Sequence, residues 1–229
     1  MISARTDYGI ARTTGGYTFR ETNEGSIRAG LHSNSGNDLL FKTGSDSEKM
    51  RINSSGNLLI GTTTSVDVAS TAASLLQIAH ESGNISAAFY STVNGVGPSG
   101  VLALGHARGS ATGALQADDI IGQIRFAGGD GTDIETIGVR ISAEVDGSVG
   151  SNVMPGRLVF STNAGASTDT ERMRINSSGN VLIGTTSDSI FNDTSGGGLN
   201  IKGGGQIVIA KQATSSSDPL VWLNDTGQT

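Results

Sequence analysis

Apolar and polar residues alternate with a period of two along several short runs of this chain, the mark of half-buried β-strands. Met50 and Ile52 alternate with Arg51 and Asn53, and the pattern returns at Met173, Arg174 and Ile175. Each run leads into Asn-Ser-Ser-Gly, at Asn53–Gly56 and again at Asn176–Gly179. That tetrapeptide reads as a hairpin turn. The Asn53 and Asn176 side chains hydrogen-bond nearby backbone, and Gly56 and Gly179 supply the positive φ that closes a short loop. Beyond each turn an apolar triplet, Leu58-Leu59-Ile60 or Val181-Leu182-Ile183, reads as the return strand. Met50, Ile52, Met173 and Ile175 are expected to be buried.

These two hairpins form an internal repeat. Residues 48–63 read EKMRINSSGNLLIGTT and residues 171–186 read ERMRINSSGNVLIGTT, identical at 14 of 16 positions and offset by 123. Upstream of each copy lies an apolar strand ending in Phe-x-Thr, at Leu39–Thr43 and Leu158–Thr162. Between the copies the candidate strands are Leu75–Ala79, Ile85–Tyr90, Val101–His106, Ile120–Phe126, Ile137–Val145 and Arg157–Phe160, separated by Gly, Ser, Asn and Asp turns. The one helix candidate is Val66–Ala79, rich in small residues. The expected fold is all-β, built from repeated hairpin units, with room for a small β-sandwich-like module between the repeats. The expected division is a first β unit at 1–64, a longer one with an inserted all-β module at 65–186, and the start of a third, truncated unit at 187–229.

Composition narrows the class further. Gly, Ser, Thr, Asn and Asp make up 114 of the 229 residues, while Leu, Ile, Val and Phe make up 53. So little apolar material per residue favours help from identical partner chains. Triplets apolar on both faces, such as Leu58-Leu59-Ile60, Ile207-Val208-Ile209 and Leu220-Val221-Trp222, call for cover on both sides, and neighbouring copies of the chain are expected to provide it. Only 3 Pro residues and no three-residue Gly period exclude a Pro-rich linker and collagen. A net charge of −6 argues against a nucleic-acid partner. The absence of cysteine removes disulfides and thiolate metal sites. No apolar run reaches the length of a transmembrane helix, so no membrane insertion is expected. The start lacks a signal-peptide layout, and Val221–Gly227 reads as a strand cut off before its partner, as in an internal piece of a longer chain.

The repeated phrase resembles the repeat found in tail fibres and tail spikes of bacterial viruses. The segments Ile121–Phe126, Asp130–Thr132, Ile141–Gly147 and Pro155–Thr162 are similar to the longer unit seen in those fibres. The resemblance implies an elongated homotrimer fixed to the virion at one end and carrying host-binding parts at the other. It implies other virion tail proteins and a host surface polysaccharide or receptor as partners, no cofactor, and a virion location after synthesis in the host cytoplasm. Many such proteins end in a self-cleaving chaperone domain, which is not legible here. The leading function is therefore a structural and adhesive tail-fibre component, not an enzyme. The alternatives are a polysaccharide-degrading tail spike and a trimeric bacterial surface adhesin.

Candidate chemistry is sparse. Gly128–Asp133 matches the opening of a calcium-binding repeat, but a lone copy lacks the successive turn that would share the ion, and it reads better as a Gly-rich turn. Asp118-Asp119 and Glu144/Asp146 are the carboxylate pairs a glycosidase would need, although one Trp and three Tyr offer few sugar-stacking platforms. His32, His80 and His106 show no metal-ligand spacing, and three copies of one of them around an axis would be needed for a cluster. Arg108, Arg125, Arg140 and Arg157 recur at intervals of 15 to 17 residues. They form either a stripe for acidic sugars or, more simply, partners for Asp119, Glu135, Glu144 or Asp146 on neighbouring strands. The repeat turns, Asn53, Gly56, Asn176 and Gly179, are the residues singled out as structural.

Overall fold

The computed structural model describes residues 8–13, 16–21, 27–44, 46–69, 74–80, 85, 87–89, 100–190 and 197–210. The chain divides into two compact units, Met1–Gly100 and Val101–Thr229. Each holds one seven-stranded sheet in simple sequential order. The first contains β1 (Tyr8–Thr13), β2 (Gly16–Glu21), β3 (Ile27–Ser33), β4 (Leu39–Thr43), β5 (Ser47–Ile52), β6 (Leu58–Ile60) and β7 (Leu76–Ile78). The second contains β8 (Ile120–Ala127), β9 (Ile137–Val145), β10 (Gly156–Thr162), β11 (Thr170–Ile175), β12 (Val181–Ile183), β13 (Gly198–Ile201) and β14 (Ile207–Ala210). Every neighbouring pair is antiparallel except β6–β7. The fold is all-β, and no α-helix occurs among the described residues.

Register sorts the side chains onto two faces. In the first sheet Tyr17, Leu31, Phe41, Met50 and Ile60 are successive partners, as are Leu39, Ile52, Leu58 and Leu76. One face is therefore almost wholly apolar. The other carries His32, Leu40, Arg51, Leu59 and Gln77. In the second sheet Ile124, Ile141, Phe160, Met173, Ile183, Leu199 and Ile209 line up across all seven strands, flanked by Ile175, Val181, Ile201 and Ile207. Its other face carries Ser142, Val159, Arg174, Leu182 and Asn200.

The chain covers the polar faces and leaves the apolar ones open. Leu59 and Leu182 are 0% exposed, whereas Ile52 is 40%, Phe126 54% and Ile207 56% exposed. The cover comes from the connections after β6 and β12. A parallel pair needs a crossover, and the stretch between β6 and β7 provides it. There the Gln77 side chain accepts from the Val66 amide at 3.0 Å and donates to the Val66 carbonyl at 2.9 Å. In the second unit Asn200 donates to the Asp188 carbonyl at 3.1 Å, and Ile190 of the same connection is buried.

Several expectations are corrected by this arrangement. Met50, Met173 and Ile175 are only half-buried and Ile52 is exposed, because they stand on the uncovered face. The partner-chain cover expected for Leu59 comes instead from the chain's own loop. The helix candidate Val66–Ala79 ends in β7, since pairing with β6 outweighs its weak helical preference. Val101–His106 forms no strand, nor do the described residues of Ile85–Tyr90, because neither finds a ladder partner. Between the repeats β8 and β9 extend the sheet of the second copy rather than building a separate sandwich. Leu220–Trp222 lies outside the described residues. No helix of the described residues is long and apolar enough to cross a membrane.

Truncating the two buried leucines tests this layout. Leu59→Ala and Leu182→Ala should each cost about 2–5 kcal/mol in chemical denaturation, the range for leucines with no room to relax.

Candidate functional site

The repeat is one piece of covalent and spatial design used twice. Both copies carry a β-bulge, between Phe41 and Lys42 in one and between Phe160 and Ser161 in the other. The bulge leaves Lys49 and Arg172, one of the two positions that differ, without a register partner on the preceding strand. An extra residue turns Glu48 and Arg51, three apart, onto the same face, where a regular strand would oppose them. Arg51 then grips Glu48 through Nε at 2.5 Å and Nη2 at 2.8 Å. Arg174 grips Glu171 in the same way, at 2.5 and 2.6 Å.

The turns match as closely. Asn53 Oδ1 accepts from the Ser55 and Asn57 amides at 3.1 and 2.9 Å, and Asn176 Oδ1 accepts from Ser178 and Asn180 at 3.1 and 2.9 Å. Gly56 has φ +84° and Gly179 +79°. A third turn, Lys202–Gln206, repeats the backbone bonds with no Asn or Ser: Lys202 N to Gln206 O at 2.8 Å and Gly205 N to Lys202 O at 2.9 Å.

An aspartate from outside the repeat latches each turn. Asp38 Oδ1 accepts from the Ser54 amide at 2.9 Å, and Asp146 Oδ2 accepts from Ser177 at 2.7 Å. In the third turn Asn180 Oδ1 takes that place, accepting from Gly203 at 2.9 Å. The hydrogen bond from Asn34 leads in holding the Asp38 carboxyl below its usual range, helped by Ser54 and Arg51 against burial. Burial pushes Asp146 upward, but Ser177 and Arg157 outweigh it and the net direction is down. These latches escape sequence reasoning because Asp38 and Asp146 do not share the 123-residue offset. A second one could have been found: Asn57 donates to Ser65 and Asn180 to Asp188, positions that keep the offset beyond the identical residues.

The carboxylates proposed for sugar cleavage are held by cations. Arg157 pairs with Asp118 at 2.8 Å, Glu144 at 2.8 Å and Asp146 at 3.3 Å. Asp119 is held bidentately by Arg108, at 2.6 and 2.5 Å. That grip leads in lowering Asp119 to about 2, with the Gln116 amide second. Asp119 and Asp146 thus shift opposite to the direction a proton donor at neutral pH requires. Arg140 pairs with Asp169 at 3.0 Å, and Arg125 bonds Gln123 while standing opposite Arg140 in register. In the Gly128–Asp133 turn, Asp130 accepts from the Thr132 and Asp133 amides and the Thr136 hydroxyl, so its oxygens face its own loop.

The histidines stay apart in role. His32 lies over Gly30 with Nε2 3.8 Å from Asp46, His80 follows β7, and His106 Nδ1 donates to the Ile120 carbonyl at 2.8 Å. Among the described residues no group of three or more His, Cys, Asp or Glu could hold a metal ion within one chain.

What each unit offers is therefore an apolar sheet face backed by a polar network, in an all-β chain with an internal repeat. No protein-family model matches the chain, and no curated protein matches it in sequence. Solved structures that share its fold include the following two. One is the carboxy-terminal domain of the bacteriophage T5 L-shaped tail fibre, with a TM-score of 0.54 at 15% identity over 95% of this chain and 91% of that one. The other is that domain with its intramolecular chaperone domain, with a TM-score of 0.55 at 15% identity over 98% of this chain and 64% of that one.

Two outcomes are expected. Gly56→Ala and Gly179→Ala should each destabilise by about 1 kcal/mol in denaturant titration, since alanine is strained at positive φ. The contribution of Asp119 should be fully present above its ordinary pKa near 3.8 and fade as pH falls toward 2. The parent should thus melt above Asp119→Asn at pH 5 and the two should converge near pH 2, as thermal scans across that range will show.

Proposed function

We propose that this chain is a structural and adhesive segment of a bacterial virus tail fibre, which assembles as a homotrimer through its open apolar faces. The observation that carries the reading is the uncovered face of the second sheet, seven strands of aligned Ile, Leu, Phe and Met. A face of that extent on a secreted or virion surface marks a contact with protein. Covering a half-exposed Ile or Phe gains about 1 kcal/mol, so a dozen of them supply a strong drive to associate. The fold shared with a tail-fibre domain over nearly the whole chain, and the repeat phrase, favour three copies around an axis over other symmetries. In this reading the fibre joins other virion tail proteins at one end and holds parts that bind a host polysaccharide or receptor away from the particle. Its role is mechanical, and the paired carboxylates serve as struts between strands rather than as a cleavage site.

The test is native mass spectrometry of the purified chain, where a trimer is expected and a folded monomer at micromolar concentration would end the proposal. Ile207→Asp should abolish the trimer. On a free surface the same change would alter stability by no more than about 0.5 kcal/mol.

A further inference from the structure

Residues 101–108 form a strap held on the second sheet by side chains. His106 Nδ1 donates to the Ile120 carbonyl at 2.8 Å. Arg108 grips Asp119 through Nε at 2.6 Å and Nη2 at 2.5 Å. Leu104 packs onto Gly122, so closely that a Cβ on the glycine would come within 2.7 Å of Leu104 Cβ. That Cβ would project from the same face as Ala143, its register partner, so the strap stands on the apolar face.

The sheet is shaped to take that leucine. One row of the open face runs from Gly122 and Ala143 through Leu158, Ile175 and Val181 to Ile201. It is bulky from β10 onward and small on β8 and β9, which leaves a hollow of about 150 Å³ bordered by Ile124, Ile141 and Leu158. Leu104 lines the hollow and remains 50% exposed. Further along the strap Leu102 is 62% and Val101 68% exposed. The strap thus adds a cluster of aliphatic side chains on top of a face that is itself apolar, and Val101–Gly105 carries no charge.

We propose that the strap is a fixed part of the contact between copies: it keeps its seat on its own sheet and buries Val101 and Leu102 against a neighbouring molecule of this chain. The occupant follows from position. Leu104 stands on the face through which the copies associate, so a copy seated over the hollow meets the strap. The exposed strap side chains are aliphatic, and what complements them is an apolar face of the kind each copy presents. A polysaccharide offers hydroxyls, for which aliphatic side chains have no hydrogen-bonding partner. The strap stays in place because lifting it would reopen the hollow under Leu104 and break the two-fold grip of Arg108 on Asp119. The inference rests on the trimer reading above and adds to it an element outside the sheet.

Two measurements on the full chain test this. Hydroxyl-radical labelling, read by mass spectrometry, compares the parent with Ile207→Asp, whose substitution lies on β14 and leaves the strap untouched. Labelling of Leu102 is expected to be several-fold slower in the parent trimer than in the variant monomer. Native mass spectrometry across a dilution series then compares the parent with Leu102→Asp, which should fold as the parent does because Leu102 is exposed within the chain. That variant should need about 100-fold more protein to assemble, as when a buried interface anchor is lost. Equal labelling of Leu102 in trimer and monomer, or assembly of Leu102→Asp at the parent's concentration, overturns the strap contact and leaves the trimer standing. Faster labelling of Leu102 and Leu104 in the trimer overturns the fixed seat, since the neighbour would then have displaced the strap. A parent that is monomeric by native mass overturns both readings.

Discussion

A β-sheet has two faces, and in each unit this chain has loop enough to cover one. The choice of which face is settled by hydrogen bonding. The crossover before β7 and the connection before β13 carry Ser, Asp and bare backbone groups. These find partners in Gln77 and Asn200, which stand on the polar side. An apolar face would leave those loop groups unsatisfied, at about 1–3 kcal/mol each when buried. The polar face is thus turned inward within the unit, together with Leu59 and Leu182 at its centre, and the apolar face is left to whatever lies outside. The usual disposition of a half-solvated antiparallel sheet, apolar in and polar out, is reversed at the level of the single chain.

The bulge explains why the repeat is written as it is. Without the extra residue, Glu48 and Arg51 would point to opposite sides and their two-fold grip would be lost. With it, Met50 and Ile52 keep to the open face while Glu48, Arg51 and Leu59 share the covered one. The two positions that differ between the copies fall where the geometry is least demanding. Lys49 and Arg172 sit at the bulge and are exposed, and Leu58 and Val181 sit half-buried on the open face. Several positions identical in the two copies, Arg51, Ser54, Asn57 and Leu59 among them, meet another part of the same unit.

That distinction also separates what could be read in the sequence from what could not. Strands β8, β9 and β10 are legible from alternation alone, because a period of two is a local property and turn residues bound each run. The all-β class follows from the same pattern. Alternation says nothing about the availability of an edge, which is why Val101–His106 reads like a strand and is not one. It also leaves the two faces undistinguished, so Met50 and Ile52 looked like core. Asp38 and Asp146 were illegible because a latch is a contact across the fold, made from different loops in the two units. The Asn and Gly of the turns act on backbone within five residues, and their chemistry is local enough to see.

The polar networks constrain how the apolar faces are used. Arg157 holds carboxylates from before β8, from β9 and from the loop after it, so three segments of chain converge on one guanidinium whose pKa burial lowers and whose partners raise, the net direction being up. Such a node costs desolvation and returns little net stability, but it opposes sliding of β9 against β10. Register matters more here than in an ordinary sheet. A slip of one residue would exchange the faces, placing Arg140 and Ser142 where Ile141 and Ala143 now stand, and an assembly built on the apolar face would lose its surface. A sheet that leaves its apolar face open cannot correct its register by packing on that face, so the chain fixes it beforehand, with a bulge, a latched turn and an arginine at each copy.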